Sequence, residues 1–168
     1  TATSNFIRNR LTSLTITASD TTTFPGTSSD GVYNAVLTGG SLSFENNLTF
    51  LTPDSLCIVD QPIGHVTGAR SISGNFTAYL NAELGSTGDL WEDLIGATDT
   101  VTNQFALNFS VGGANAPKVE FNFPQCHLEV PTHSIDDVIA LDVNFHALPS
   151  TLDGTDEATI VYTGNTYT

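Results

Sequence analysis

Basic residues are scarce in this chain. Four Lys and Arg stand against 18 Asp and Glu, a formal net charge of −14 over 168 residues. A surface of that sign repels nucleic-acid phosphates and argues against specific DNA or RNA recognition. Cysteine is almost as rare. Cys57 and Cys126 are too few and too far apart for a disulfide framework, and neither sits in a CxxC or other metal-spaced pattern. Cys126 shares an apolar face with Leu128 and reads as a buried free thiol. No stretch approaches the roughly 20 apolar residues of a membrane span, and no basic-then-apolar leader opens the chain. The expectation is a soluble protein made in a reducing cytoplasm; Thr1 is a small residue of the kind left when an initiator methionine is removed, and trimming of a longer chain would leave such a start equally well.

Chemistry-bearing motifs are missing too. Ser, His and Asp are present, but no GxSxG elbow or other nucleophile context accompanies them, and no Gly-rich phosphate loop precedes a helix. His127, Glu129 and His133 form a loose metal-like group, yet polar residues on a sheet surface give the same spacing. SSDG at 28 to 31 and LDGTDE at 152 to 157 are oxygen-rich, but without the spaced ligands of a calcium loop they read as turns. The expectation is a non-enzyme without catalytic residues, cofactor or metal.

What the chain does have is alternation. Between Val119 and Ala147, Val119, Phe121 and Phe123 point one way, then Cys126, Leu128 and Val130, then Ile139, Leu141, Val143, Phe145 and Ala147. This is the period of half-buried strands. Glu120, Asn122, His127, Glu129, Asp142, Asn144 and His146 fall on the opposite, acidic face, which has no Lys or Arg within that stretch. From Asn81 onward there are 13 acids and the single base Lys118, against five acids and three bases before it. Charged residues are only 13% of the chain, so Ser, Thr, Asn and Gly supply most of the polarity, which suits a turn-rich β-protein.

Residues 1 to 30 are weakly patterned. Leu11, Leu14, Ile16 and Ala18 allow a short strand, but ASDTTTFPGTSSDG has no core face, so this region is expected to be an arm or long loop preceding a single domain over 31–168. A strand over 32 to 38 and another in SLSFENNLTFL follow, the second bent at Asn46-Asn47. Residues 52 to 68, with two prolines and two glycines, predict a long connection or exposed hairpin. Ile72, Gly74, Phe76, Ala78 and Leu80 alternate with polar residues, and Phe105, Leu107, Phe109 and Val111 form a later strand. One helix is predicted at about 88 to 96: Leu90, Trp91, Leu94 and Ile95 make its stripe, Ser86, Thr87 or Asp89 caps it, and Gly96 stops it. The closing strand carries Ala158, Ile160 and Tyr162. Seven or eight strands with one flanking helix, between the fifth and sixth, point to a mainly β fold, a two-sheet β-sandwich or partly open barrel. Few Lys or Pro protect its edges, so partner subunits are expected to cover them.

Taken together, SLSFENNLTFL, HVTGARSISGNFTAYLN at 65 to 81, the short helix, PKVEFNFPQCHLEV and DDVIALDVNFHALPSTLDGTDEATIVYTG resemble the tail tube proteins of long-tailed bacteriophages and related tailed viruses. The resemblance covers residues 40 to 164. It implies hexameric rings stacked into a hollow tail tube that conducts the genome, an inner β-barrel completed on oligomerisation, and a place in the virion after assembly in the host cytoplasm. The partners implied are further copies of the chain, the tape measure, terminator and baseplate proteins, and viral DNA passing without specific binding, with no membrane. On this reading Glu120, Asn122, Glu129, Asp142 and Asn144 line the lumen. Contacts between rings are expected from the 52 to 68 connection, at Pro53, Asp54, Asp60, Pro62 and His65, and from the N-terminal arm, so that removing residues 1 to 20 would impair tube formation more than folding. A tail terminator or baseplate ring of the same fold is the nearest alternative. A monomeric β-sandwich binding module is the other, although carbohydrate-binding modules usually expose a row of Trp and Tyr and here Trp91 sits on the helix stripe.

Overall fold

The computed structural model describes residues 6–9, 12–27, 29–51, 64–97, 104–134, 138–151 and 154–164. Its strands are β1 (Ser13–Ala18), β2 (Val32–Ala35), β3 (Leu37–Glu45), β4 (Leu48–Leu51), β5 (Gly64–Thr67), β6 (Ser71–Tyr79), β7 (Phe105–Val111), β8 (Lys118–Leu128), β9 (Thr132–Ser134), β10 (Ala140–Ala147) and β11 (Thr159–Thr163). One helix, α1 (Thr87–Gly96), lies between β6 and β7. The main sheet runs β2-β1-β7-β8-β10-β6-β3, with β11 added to β8 and β9 to β10, and β4 and β5 form a separate two-stranded sheet. The strand count exceeds the seven or eight expected, partly because the chain bends at Asn47, whose φ of +40° ends β3 and starts β4.

Alternation builds the core as expected. Val143 pairs with Phe76, Phe145 with Gly74 and with Leu128, and Leu14 with Phe109, so one face of successive strands carries the buried residues. The sheet then curls. The rings of Phe76 on β6 and Phe109 on β7 are 6.4 Å apart although β8 and β10 separate their strands in the sheet, and Phe145 lies within 6.5 Å of both. The result is a partly open barrel filled by aromatic side chains.

The phase of the pattern changes between Phe123 and Cys126, three positions apart yet both buried. Across the ladder, Phe105 pairs with Cys126 and Leu107 with Phe123, so three steps of β8 oppose two of β7. The bulge holds Pro124, which has no N–H to give the ladder, and returns the strand to the core phase. It also divides the other edge of β8: Lys118 to Asn122 pair with β11, and Cys126 to Leu128 with β10.

Several expectations need correction. Residues 13 to 27 are not an arm: β1 is an interior strand between β2 and β7, and Leu14, Ile16, Ala18 and Phe24 are all buried. Removing residues 1 to 20 would therefore take out part of the core. Polar Thr and Ser alternate with Leu14, Ile16 and Ala18 because only one face of β1 is covered, but the run is short and leads straight into a Ser/Thr/Gly/Pro segment. Val130 and Ile139 lie beyond the strand ends and are exposed. β11 forms, but Ile160 and Tyr162 are exposed rather than packed.

The helix caps the barrel with a narrower stripe than predicted. Thr87, Leu90 and Leu94 are buried, at i, i+3 and i+7, whereas Ile95 is exposed and Trp91 is half-buried with its ring edge-on to His133 at 6.1 Å. Ser86 occupies the N-cap but makes no side-chain cap; its hydroxyl donates to the Asn81 and Glu83 carbonyls instead. Asp89 reaches back to accept the Gly85 N–H at 2.7 Å, and Thr87 donates to the Tyr79 carbonyl at 2.6 Å. The helix continues through Gly96, and the Ala97 N–H bonds the Asp93 carbonyl.

Candidate functional site

The face of the sheet opposite the core is polar across four neighbouring strands. On β10, Asp142, Asn144 and His146 stand opposite Thr77, Asn75 and Ser73 of β6, and Asn75 and Ser73 stand opposite Ser41 and Ser43 of β3. On the other side, His146 pairs with His127 of β8. Short side chains join these rows: Ser41 donates to Asn75 at 2.7 Å, and the Asn75 amide and Thr77 hydroxyl both reach Oδ1 of Asp142 at 3.5 Å. Just beyond β8, the Asn144 amide donates to Glu129 at 2.9 Å and His146 lies 3.5 Å from the same carboxylate.

Glu129, Asp142 and Asn144 therefore belong to one patch. Glu120 and Asn122 sit on the same side of β8 but towards its other end, opposite Ser110 and Asn108 of β7, with Asn122 accepting from Asn108. Nine positions of extended strand separate Glu120 from Glu129, about 30 Å. Nor is this end free of bases: Lys118 lies 3.0 Å from Glu120. Sequence reading assigned no role to Ser41, Ser43, Asn75 and Thr77, because only the register puts β3 and β6 beside β10.

His133 does not join His127 and Glu129. It stands opposite the core-facing Leu141 and against Trp91, whereas His127 stands opposite His146 on the polar face. Among the described residues no three His, Cys, Asp or Glu come close enough to hold a metal ion. The two oxygen-rich segments serve as turns where they are described. Asp30 accepts the Val32 N–H at 3.1 Å. Asp156 accepts the Ser150 N–H at 3.1 Å, and hydrogen bonding from Ser150, first from its side chain and then from this N–H, holds the Asp156 carboxyl below the ordinary range. Arg70 secures the same loop through Glu157 and the Thr155 carbonyl.

Among the described residues, two kinds of surface remain without cover. β2 and β3 end the path of the main sheet, and β11 pairs along one edge only. On β11, Ile160, Val161 and Tyr162 are 41–67% exposed. The β4–β5 hairpin continues the β3–β6 ribbon past the Asn47 bend, where Asn47 bonds Gly68 and Ala69 at 2.8 Å. It shows Leu48, Phe50, Leu51 and Val66 to solvent. His65 of the predicted contact set pairs with Phe50 here, with the two rings 6.5 Å apart. Pro53, Asp54, Asp60, Pro62 and also Cys57 lie outside the described residues. Such edges and apolar strands invite strand addition or packing by another chain.

No protein-family model matches the chain. The SPP1 tail tube, known from solid-state NMR and cryo EM, is similar with a TM-score of 0.60 over 95% of this chain and 81% of that one. The chain has the tail tube fold. At 10% identity this likeness speaks to fold alone. In sequence, the chain is 37% identical over 156 residues to tail tube protein pb6 of Escherichia phage T5, which takes in 91% of this chain and 32% of that protein. It thus spans about a third of the length of this curated relative. The tail tube resemblance and the mainly β fold read from the sequence are both borne out. No helix among the described residues is long and apolar enough to cross a membrane.

Proposed function

We propose that this chain is a structural subunit of a viral tail tube, non-enzymatic and working in the virion tail. Hexameric rings stack into a hollow conduit for the genome. The observation that carries this reading is the coexistence, on one curled sheet, of a hydrogen-bonded polar face and edges at β3 and β11 that pair with no strand among the described residues. Repetition about a rotation axis would pair such edges and close the sheets into one inner barrel, removing the aggregation hazard of each.

In that barrel the polar face lines the lumen. Glu129, Asp142 and Asn144 form its acidic and amide patch, with Glu120 and Asn122 further along β8. Carboxylates and short polar groups repel phosphates and offer no basic anchors, so DNA slides without being held. The 52 to 68 connection and residues 1 to 12 make contacts between rings. Tape measure, terminator and baseplate proteins meet the tube along its bore and at its ends, and assembly takes place in the host cytoplasm.

Negative-stain electron microscopy of the purified chain at high concentration, across a salt series, tests the reading. Hollow rings or stacked tubes are expected, more readily as salt screens the charge of −14. A monodisperse monomer under every condition would count against it and favour a binding module.

A further inference from the structure

We propose that Arg70 is a positioning residue for assembly: it fixes the angle at which the β4–β5 hairpin leaves the main sheet and ties that hairpin to the turn before β11. The inference rests on the tube reading and adds to it the device that presents two uncovered surfaces as one.

The hairpin needs such a device. Among the described residues β4 and β5 pair only with each other, and they join the main sheet through two short connections, Asn46-Asn47 after β3 and residues 68–70 before β6. Neither connection belongs to a ladder, so local bonds set the angle. Asn47 supplies the first of them. Its carbonyl accepts the Gly68 N–H at 2.8 Å and its amide donates to the Ala69 carbonyl at 2.8 Å. These bonds hold the two connections together but do not fix the hairpin against the rest of the fold. Arg70, the next residue, does. Its guanidinium donates to the Thr155 carbonyl at 3.1 Å and to the Glu157 carboxylate, 85 and 87 positions away.

The receiving loop is held in shape by its own bonds. The Gly154 N–H meets the Thr151 carbonyl at 2.8 Å, and the Ser150 N–H meets Asp156 at 3.1 Å. Thr155 and Glu157 therefore offer neighbouring acceptors, which suit a guanidinium with its several donors in one plane. The Glu157 side chain is only 12% exposed, so it has lost most of its water and depends on this cation. In a chain of 18 acids and four bases, one base is committed here.

The pair sits at the root of two apolar surfaces. Arg70 immediately precedes β6 at the hairpin's base, and Glu157 stands two positions before Thr159, where β11 begins. The hairpin carries the exposed Phe50 and Leu51, and β11 the exposed Ile160 and Tyr162. A neighbouring copy that covers one surface meets the other at a fixed offset. The ordering cost of placing the hairpin thus falls on folding rather than on assembly.

The test attaches nitroxide labels at Thr49→Cys on the hairpin and Thr159→Cys on β11, both exposed positions, in a Cys57→Ser background. Pulsed electron paramagnetic resonance reads their separation at a concentration too low for assembly. The parent should give one narrow distance distribution. Arg70→Gln and Glu157→Gln should each broaden it, and the double variant should broaden it no further, the signature of a coupled pair. In assembly followed by light scattering and electron microscopy, each variant should raise the threshold concentration about threefold, the scale of a partly exposed ion pair. A parental distribution in both single variants overturns the proposal. So does a broadened distribution with a parental threshold, because the hairpin angle would then play no part in assembly. Either result, with tubes in the micrographs, leaves the tube reading standing. A parent that forms no assemblies under any condition sinks that reading and, with it, the role given to Arg70.

Discussion

The Tyr33 hydroxyl donates a 2.5 Å hydrogen bond to Oδ2 of Asp93, tying β2 to α1 across 60 positions of sequence. It also accepts the Gly26 N–H at 3.2 Å. Burial, and then the neighbouring carboxylate, hold this phenol well above the ordinary tyrosine range. This bond joins the one from Thr87 to the Tyr79 carbonyl and the burial of Leu90 and Leu94 in holding the helix against the sheet.

Tyr33→Phe should destabilise the chain by about 1.5–3 kcal/mol, the scale of a hydrogen bond to a charged group whose partner stays behind. Urea unfolding should show a lower midpoint with an unchanged slope. An unshifted midpoint would mean that apolar packing alone seats the helix.

Gly74 faces Phe145 across the β6–β10 ladder. A Cβ built there would lie 2.4 Å from the Ser41 carbonyl oxygen and 2.8 Å from the Phe145 ring. Gly74→Ala should therefore cost about 1–3 kcal/mol by overpacking. A wild-type melting temperature in thermal unfolding would refute this close approach.

Cys126 is fully buried, and burial pushes its thiol from 9.0 up to about 12. The folded state holds its proton more tightly than the unfolded one, so this contribution to stability is intact below pH 9 and is lost as pH rises towards 12. The loss should reach at most about 1.4 kcal/mol per pH unit. Cys126→Ala should be less stable than the parent at pH 7 but lose less between pH 8 and 10.5 in urea titrations. Equal alkaline losses in the two proteins would contradict the assignment.

Asp142 is exposed, and the Asn75 amide and Thr77 hydroxyl each reach its Oδ1 at 3.5 Å. Asp142→Lys should change stability by no more than about 0.5 kcal/mol. If this face lines the lumen, tubes built from the variant should retain duplex DNA at low salt and release it as salt rises, read by co-sedimentation. Variant tubes that bind no more DNA than the parent would place Asp142 away from the bore.

Alternation made the strands around Phe76, Phe109 and Phe145 legible, because a strand covered on one face must repeat its apolar residues every second position. The one-residue phase change between Phe123 and Cys126, where one alternating run gives way to the next, corresponds to the bulge at Pro124. β1 was harder to read. Its alternation is short and leads into a Ser/Thr/Gly/Pro segment, so it looked like an arm until its pairing on both sides with β2 and β7 was known. β11 misled in the opposite sense: it alternates like a core strand, yet both its faces are exposed in the single chain.

The candidate site divides along the same line. Residue order alone set the acidic face of β8 and β10, the bend at Asn46-Asn47 and the amphipathic helix, since periodicity, turn chemistry and charge balance act between near neighbours. Register and curl were decided only in three dimensions. They gathered Ser41, Asn75, Asp142 and Asn144 into one patch, left Glu120 at the far end of β8, turned His133 towards Trp91, and brought Arg70 to Glu157. Those outcomes depend on which strand lies beside which and on how the aromatic core bends the sheet, and contacts between residues tens of positions apart settle both.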